Sequence, residues 1–299
     1  MKLFKYFFEF ISIISLFFIF KIIGLRNASN LGSILGKFIG PLFRSKNLIK
    51  KNIKIGLGNI NPEQEKEIIN SMWSNIGRTL AEYVFLKDFK FNKTNFPHMK
   101  INGTKYLEEI KNSGKPVIFY SGHFANFELM AMELDKFGIK TAAIYRPLNN
   151  LFLNPLMEYL RMKYICPNQI PKGRSGMREV INKFKNGYSI ALMVDQRVGE
   201  GPRINLFNHP AQTTTIPAQL ALRYNCKLVP ISLKRTENIN FEMTIHQPYE
   251  ILKTENEEQD VNNITLGINK IIEKMIIENP EQWLWVHNRW PNEQELTSN

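Results

Sequence analysis

The sequence predicts an α/β protein with a mixed sheet flanked by helices and an N-terminal membrane-anchoring helix. Short apolar runs such as Tyr188–Val194 have the length and composition of buried strands. They alternate with stretches such as Asn61–Leu86 and Asp260–Asn279, whose apolar residues recur three and four apart, as on one face of a helix. This alternation indicates a layered α/β domain, although the order of the strands cannot be read from the sequence.

The first predicted element is the apolar segment Leu3–Leu25, whose only charges are Lys5, Glu9 and Lys21. Its uncharged part, Phe10–Phe20, is shorter than the roughly 20 residues of a spanning helix, but terminal lysines can extend toward the membrane surface. The segment could span, lie in the interface or be a cleaved signal peptide. A good small-x-small cleavage site is missing, which disfavours the third. We predict a membrane anchor over residues 1–26 and one domain over residues 27–299.

The remaining elements follow in order along the chain. Helices are predicted at Asn61–Leu86, Leu151–Tyr164, Arg174–Asn186, Pro217–Tyr224 and Asp260–Asn279, and strands at Thr141–Tyr145, Tyr188–Val194, Cys226–Lys234 and Phe241–Ile245. Residues Phe89–Ile110 read as a polar connection followed by a short helix, and Asn292–Asn299 as a frayed end.

Lysine and arginine outnumber aspartate and glutamate by 39 to 27, giving a net charge of +12. Such an excess suits nucleic acid, an anionic membrane or acidic substrates. Because five cations follow the apolar segment closely, the membrane is favoured over nucleic acid, with the body on the cytoplasmic side. These cations are Arg44, Lys46, Lys50, Lys51 and Lys54. The two cysteines have no metal or redox spacing, and the sequence predicts neither a metal nor a cofactor site.

The stretch Val117–Met130, VIFYSGHFANFELM, combines a predicted strand, a Ser-Gly turn and a predicted helix. Asn126 is a candidate cap for that helix, and Gly138 is a candidate stop. This arrangement places His123 in the turn after the strand and Glu128 about one helical turn further on. A histidine in such a turn can fold back toward the carboxylate.

This pair suits general-base chemistry. A neutral imidazole can take a proton from a hydroxyl, while a carboxylate on its other nitrogen sets the tautomer and stabilises the imidazolium. Ser121 is close by, but the GxSxG pattern of a serine nucleophile is absent from the sequence. The alternative is a surface histidine and a glutamate favoured by the positive end of a helix.

Further charged residues lie at or after predicted strand ends, where α/β sheets gather their sites. Arg146 could bind a phosphate or hold the sheet edge. Arg161 could be functional or belong to a basic helix face, and Asp195 could orient a partner or cap a turn. Arg197 and Arg203, in a Gly-rich loop, are candidate phosphate contacts.

HFANFE is an instance of the H-x4-D/E motif of glycerolipid-type acyltransferases. The stretches YRPLNNLFLNP, MVDQRVGEGP and FNHPAQTTTIPAQLALRYNCKLVPISLKR follow it in an order that resembles the late acyltransferases of lipid A biosynthesis, from about Leu31 to Trp290. This resemblance implies a glycerolipid acyltransferase-like fold. It also implies acyl transfer from acyl carrier protein to a hydroxyl of a Kdo-lipid IVA-type precursor at the bacterial inner membrane, with no cofactor beyond the acyl donor.

The resemblance also implies roles for the candidate residues. His123 is expected as the general base with Glu128 as its orienting partner, and Arg161, Asp195 and Arg146 are expected to bind substrate. Glu82 resembles a recurrent acidic position but is left outside the site, because a solvated helix carboxylate explains it equally well. The aromatic segment QWLWVHNRW is expected to pack against the body or the bilayer interface.

Other readings remain open. Another glycolipid, such as a phosphatidylinositol mannoside, could be the acceptor. A lysophospholipid acceptor is disfavoured, because the Glu-Gly-Thr-Arg element of the phospholipid enzymes is missing. A third reading, a basic membrane-binding protein without activity, leaves the combination of His, Glu, Arg and Asp unexplained.

Overall fold

The computed structural model of the protein describes residues 2–91, 98–199 and 201–291. The helices are α1 (Lys2–Ile23), α2 (Leu25–Ile39), α3 (Lys46–Leu57), α4 (Pro62–Glu82), α5 (Leu86–Phe91), α6 (Thr104–Ser113), α7 (Leu129–Lys136), α8 (Leu153–Leu160), α9 (Arg174–Lys185), α10 (Ile216–Tyr224) and α11 (Glu257–Glu278). The strands are β1 (Met99–Asn102), β2 (Ile118–Ser121), β3 (Thr141–Tyr145), β4 (Asn168–Pro171), β5 (Ser189–Met193), β6 (Arg203–Leu206), β7 (His209–Gln212), β8 (Leu228–Glu237) and β9 (Asn240–Ile245). Residues 292–299, predicted to be frayed, lie outside the described ranges.

Within the described residues, seven strands form one sheet in the order β1-β9-β8-β2-β5-β3-β4, and β6 and β7 form a separate antiparallel hairpin. β8 and β9 pair antiparallel, whereas the other neighbours in the large sheet pair parallel. The predicted mixed sheet flanked by helices is therefore confirmed. The parallel centre brings the carboxyl ends of β2 and β5 side by side.

The core lies on both faces of the sheet. Along β2 the side chains alternate, so that Phe119 packs into one apolar cluster and its neighbours Ile118 and Tyr120 pack into the other. The whole of β2 is buried, as expected for a parallel strand covered on both faces by helices.

α2 and α4 pack with their backbones unusually close. A Cβ atom added to Gly32 would lie 2.4 Å from the carbonyl oxygen of Gly77, and one added to Gly77 would lie 2.0 Å from that of Gly32. Glycine is therefore required at both positions for this approach. α1 packs beside this pair through Phe17 and Phe20, which are buried in the core.

Several element boundaries differ from the sequence expectations. The helix expected from Asn126 begins at Leu129, and the Asn126 side chain donates to Glu82 instead of capping the helix. The helix expected over Leu151–Tyr164 is α8 followed by a π-helical turn at Arg161–Ile165. α2, α3 and the short strands β1 and β4 were not predicted, because their apolar positions are too few or too irregular to show a clear period.

Candidate active site

His123 lies two residues after β2, in the turn at the carboxyl end of this central strand. Its backbone N–H donates to Asp195 Oδ2 at 2.8 Å, and its ring nitrogen Nδ1 lies 2.7 Å from Asp195 Oδ1. Asp195 follows the neighbouring strand β5, and the backbone of Val194 bonds to Ser121 at 3.0 Å. The sheet register therefore places the carboxylate beside the imidazole.

Asp195 is 3 % exposed and accepts hydrogen bonds on both oxygens. In addition to the two groups of His123, Trp283 Nε1 donates to Oδ2 at 2.8 Å. Burial by itself would raise the pKa of Asp195, but the electrostatic attraction between its carboxylate and the His123 ring and these hydrogen bonds outweigh it and lower the pKa to about 2. An ionised carboxylate here keeps the proton of His123 on Nδ1 and leaves Nε2 to accept one.

Glu128, expected as the partner of His123, pairs instead with Arg161. Arg161 Nε and Nη2 lie 3.0 and 2.5 Å from Glu128 Oε1, and the Tyr83 hydroxyl donates to the same oxygen. Arg161 Nη2 also donates to the Tyr83 oxygen at 2.9 Å. In this structure the orienting carboxylate on His123 is Asp195, because the turn of residues 123–128 directs Glu128 toward the π-helical turn that carries Arg161.

Arg161 is a buried cation with an unused donor. It is 8 % exposed, and among the described residues its Nη1 has no hydrogen-bond partner. Burial would lower the pKa of Arg161, but Glu128 and Tyr83 raise it, while burial and Glu128 raise the pKa of Tyr83. Arg161 therefore stays charged and Tyr83 stays protonated. Tyr83 was not singled out from the sequence, where it reads as one more apolar position of a helix.

The turn that carries His123 and Glu128 is held in an unfavourable backbone conformation. Ala125 has a φ of 47°, a left-handed value that costs a non-glycine residue energy. Its carbonyl accepts from Asn75 Nδ2 at 3.0 Å and from Thr79 Oγ1 at 3.3 Å, and its N–H donates to the carbonyl of Gln282 at 3.2 Å. α4 and the C-terminal segment thus fix the turn from two sides.

Glu82 forms a second buried ion pair next to this turn. It is fully buried and bonds to Arg235 Nη1 and Nη2 at 2.6 and 3.0 Å. It also accepts from Asn126 Nδ2 at 2.9 Å and Ser29 Oγ at 2.8 Å. The expectation of a solvated helix carboxylate is wrong, because the side of α4 that carries Glu82 is covered by α2 and β8. Glu82 ties these elements to the turn.

A cavity of about 510 Å³ opens beside His123. Glu128, Arg161 and Gln196 share its wall, and Gln196 Nε2 lies 3.3 Å from His123 Nε2. The rest of the lining includes nine apolar residues: Phe127, Met130, Ala131, Ala143, Ile144, Ile165, Ala191, Leu192 and Met193. His123, Glu128 and Arg161 therefore border a space that can accept an apolar chain.

Besides Arg161, four more cations among the described residues line the same cavity: Arg44, Arg146, Lys172 and Arg197. Arg146 and Lys172 follow the neighbouring strands β3 and β4, and the pKa of Lys172 is lowered by partial desolvation and by the charge of Arg146. Arg44, which precedes α3, was assigned from the sequence to the membrane-facing cations and not to the site. Arg203 begins the separate hairpin strand β6.

The aromatic segment near the C-terminus packs inside the body. Trp283 and Trp285 are buried and pack edge to face at 4.6 Å. His287 Nε2 accepts from the backbone N–H of Arg197 at 2.9 Å, and burial lowers the pKa of His287 to about 4, so the ring stays neutral. Arg289 is fully buried and donates to Gln212 and Thr213 at 2.5 and 2.7 Å. Packing against the body is confirmed, while the contact of Trp283 with Asp195 was not anticipated.

An α/β fold with a histidine oriented by a buried carboxylate beside an apolar cavity has the features that an acyltransferase needs. Residues 1–292 match the family described as bacterial lipid A biosynthesis acyltransferase, and the chain belongs to that family. Three similar Escherichia coli (strain K12) proteins are a lipid A biosynthesis palmitoleoyltransferase, lauroyltransferase and myristoyltransferase. Their identities are 25 %, 23 % and 24 %, over 87 %, 89 % and 84 % of this chain and 83 %, 85 % and 77 % of theirs. The resemblance seen in the sequence is confirmed.

Replacing Glu82 with alanine is expected to destabilise the protein by about 3–5 kcal/mol, because it leaves Arg235 buried without its partner. Urea unfolding in detergent, followed by tryptophan fluorescence, measures the loss. Glu65→Ala is the matched control, since Glu65 pairs with Lys50 at the surface of α4, and it should cost less than about 1 kcal/mol. Equal losses in the two variants would contradict a structural role for Glu82.

The depressed pKa of Asp195 gives a pH dependence of stability with a defined sign. The carboxyl is ionised more readily in the folded protein than in the unfolded chain. Its contribution to the free energy of unfolding is therefore full above about pH 5 and is lost as the pH falls toward 2. The contribution is about 2 kcal/mol. As the pH is lowered from about 5 to about 2, the free energy of unfolding should fall less steeply in Asp195→Asn than in the unmodified protein. Parallel curves for the two proteins would contradict the assignment.

Proposed function

We propose that this protein transfers a fatty acyl chain from acyl carrier protein to a hydroxyl of a lipid A precursor of the Kdo-lipid IVA type. The observation that carries this proposal is the contact of His123 Nδ1 with Asp195, which leaves Nε2 as the acceptor beside an apolar cavity. The names of the similar proteins support lipid A as the acceptor class. The donor is inferred from the resemblance and from the basic character of the chain.

In the proposed reaction, His123 Nε2 takes the proton of the acceptor hydroxyl as its oxygen attacks the thioester carbonyl. The new C–O bond forms a tetrahedral intermediate, which collapses by breaking the C–S bond. The imidazolium then returns its proton to the leaving thiolate, so the histidine ends neutral. We assign the orienting role to Asp195, since its buried carboxylate stabilises the imidazolium between these two steps.

Glu128 takes a different role in this proposal. It holds Arg161 through Nε and Nη2, so that the free Nη1 of Arg161 can donate to the negative oxygen of the intermediate or to an acidic group of the acceptor. A buried, pre-oriented guanidinium suits this task because it requires little reorganisation during the reaction. The Glu128–Arg161 pair is thus a second part of the site beside the His123–Asp195 pair.

The cations of the cavity suit an acceptor that carries phosphate and acidic sugars. Arginine and lysine bind phosphate through charge-assisted hydrogen bonds, and Arg146 and Lys172 lie close enough for their charges to interact. The apolar wall would hold the acyl chain of the donor. In the proposed reaction, the acyl carrier protein and the lipid A precursor meet at the cytoplasmic side of the inner membrane. We therefore place the catalytic body on that side, attached by the apolar helix α1.

His123→Ala is expected to reduce acyl transfer by about 10²–10⁴-fold, because the general base is removed. The assay follows a labelled acyl chain from acyl carrier protein to Kdo2-lipid IVA in membranes that contain the full chain. His209→Ala is the matched control, since His209 is exposed on the β6–β7 hairpin. Full activity of His123→Ala would overturn the mechanism. If the unmodified protein transferred no chain to Kdo2-lipid IVA but did transfer one to a phosphatidylinositol mannoside, the proposed acceptor would be wrong.

Replacing Arg146 and Lys172 together with glutamine is expected to raise KM for the bisphosphorylated acceptor about tenfold or more while changing kcat little. The side chains would contact acceptor phosphates away from the reacting hydroxyl. The same variant should also show a weaker dependence of KM on salt. Lys185→Gln, on the exposed end of α9, is the control. An unchanged KM would show that the acceptor phosphates bind elsewhere.

A further inference from the structure

α1 contacts the catalytic body near its first turns. The side chain of Asn150 donates to the carbonyl of Tyr6 at 2.9 Å and to Glu9 Oε2 at 3.1 Å. The ring of Phe152 packs against those of Phe7 and Phe10, with centroids 5.7 and 6.2 Å apart. This loop directly follows Arg146–Asn149, which lines the cavity. The beginning of α1 therefore lies next to the cavity.

α1 also contacts the body at its other end. Lys21 Nζ lies 3.9 Å from Asp88 and 4.9 Å from the ring centre of Phe85. Between the two ends, Phe17 and Phe20 are buried in the core of the body. The contacts from Tyr6 to Lys21 cover about 22 Å of helix at 1.5 Å per residue. α1 thus lies along the body instead of extending away from it.

The opposite side of α1 is apolar and exposed. Its outward residues recur three and four apart and form one stripe: Phe4, Phe8, Ile11, Ser15, Phe18 and Ile22. Only Ser15 in this stripe is polar. So large an exposed apolar surface marks a contact with a partner or a membrane.

A second exposed apolar patch borders the cavity from another direction. It comprises Ile34, Phe38 and Ile39 of α2 and the following Leu42 and Phe43. Leu42 and Phe43, which directly precede Arg44, are both more than 70 % exposed. Arg44 itself lines the cavity. The two apolar surfaces therefore meet the same cavity, one through Arg44 and the other through the loop 146–152.

Charge identifies the occupant of these surfaces. The first 57 residues contain ten lysines and arginines and a single acidic residue, Glu9. Exposed apolar side chains flanked by cations are typical of segments that lie at the surface of an anionic bilayer. Binding to an apolar protein partner would not require this excess of positive charge.

The contacts at both ends of α1 argue against a simple spanning helix. If α1 crossed the bilayer, the body packed along it would cross as well. Either Asp88 at one end or the segment with Arg146 at the other would then lie within or beyond the hydrocarbon core, where charged groups are costly. An orientation along the membrane surface avoids this cost and still buries the apolar stripe.

We propose that α1 and the patch at residues 34–43 insert together into one leaflet of an anionic membrane, and that α1 does not span it. The cavity then opens at the headgroup level of that leaflet. Arg44 and Arg146, at its entrance, face the phosphates of lipids there. This arrangement is independent of the acyl transfer reaction proposed above.

Depth-dependent fluorescence quenching tests this orientation. An environment-sensitive fluorophore is attached to Phe8→Cys, Ser15→Cys, Ile22→Cys or Phe43→Cys in a Cys226→Ser background, since Cys166 is buried. The full-length variants are reconstituted in vesicles of phosphatidylethanolamine and phosphatidylglycerol with a quencher near the headgroup or near the chain end. All four labels are expected to be quenched more strongly by the shallow quencher.

Leu252→Cys supplies the control, because Leu252 is exposed, follows the residue Tyr249 that pairs with the amino end of β8, and so lies at the end of the strands opposite the cavity; its label should not be quenched. Strongest quenching of Ser15→Cys by the deep quencher, with Phe8→Cys and Ile22→Cys shallow, would overturn the proposal in favour of a spanning helix. A Phe43 label that behaves like the Leu252 label would remove the second patch from the membrane contact.

A second variant keeps α1 intact and avoids labelling. Phe38→Ser combined with Phe43→Ser is expected to weaken binding to the same vesicles by about tenfold or more, because two apolar side chains no longer enter the leaflet. Leu252→Ser is the matched change outside the surface and should bind normally. Undiminished binding of the double variant would show that α1 alone attaches the protein and would overturn joint insertion.

Discussion

The site depends on one buried carboxylate, that of Asp195. It receives the backbone N–H and the ring of His123 and the indole of Trp283, and so joins β2, β5 and the C-terminal segment at a single point. Gly122 is required beside it, because a Cβ there would lie 2.6 Å from the Phe124 ring and 3.3 Å from Asp195 Oδ2. The charge survives burial because these donors replace the water that it loses.

Two other buried ion pairs support this centre in different ways. Glu128 and Arg161 line the cavity, where the charge of the arginine can act on a substrate. Glu82 and Arg235 lie behind the turn, where they fix its backbone. Buried pairs add little to net stability, since desolvation offsets their attraction, but they define which side chains can meet. The strained Ala125 shows that the turn needs such fixing.

The exposed apolar surfaces of α1 and α2 are connected to the site through the chain. The loop after β3 lines the cavity at Arg146 and binds α1 at Asn150, so a segment of five residues, 146–150, connects the helix to the site. Arg44 joins the cavity to the apolar patch of α2 in the same way. In the proposed orientation, a substrate with an apolar body and an acidic head reaches His123 without leaving the level of the headgroups.

The sequence by itself determined the α/β class and the apolar first helix, and it pointed to His123 and to the acidic and basic residues at the strand ends as candidates for the site. These features are encoded locally, by periodicity, by breakers and by the spacing of a motif. Tertiary structure decided the partners: Asp195 for His123, and Arg161 for Glu128. Such contacts join residues far apart in the chain, and they follow from strand order and register, which no local pattern contains. The same reason explains why Glu82 reads as an exposed carboxylate in the sequence and is buried in the fold.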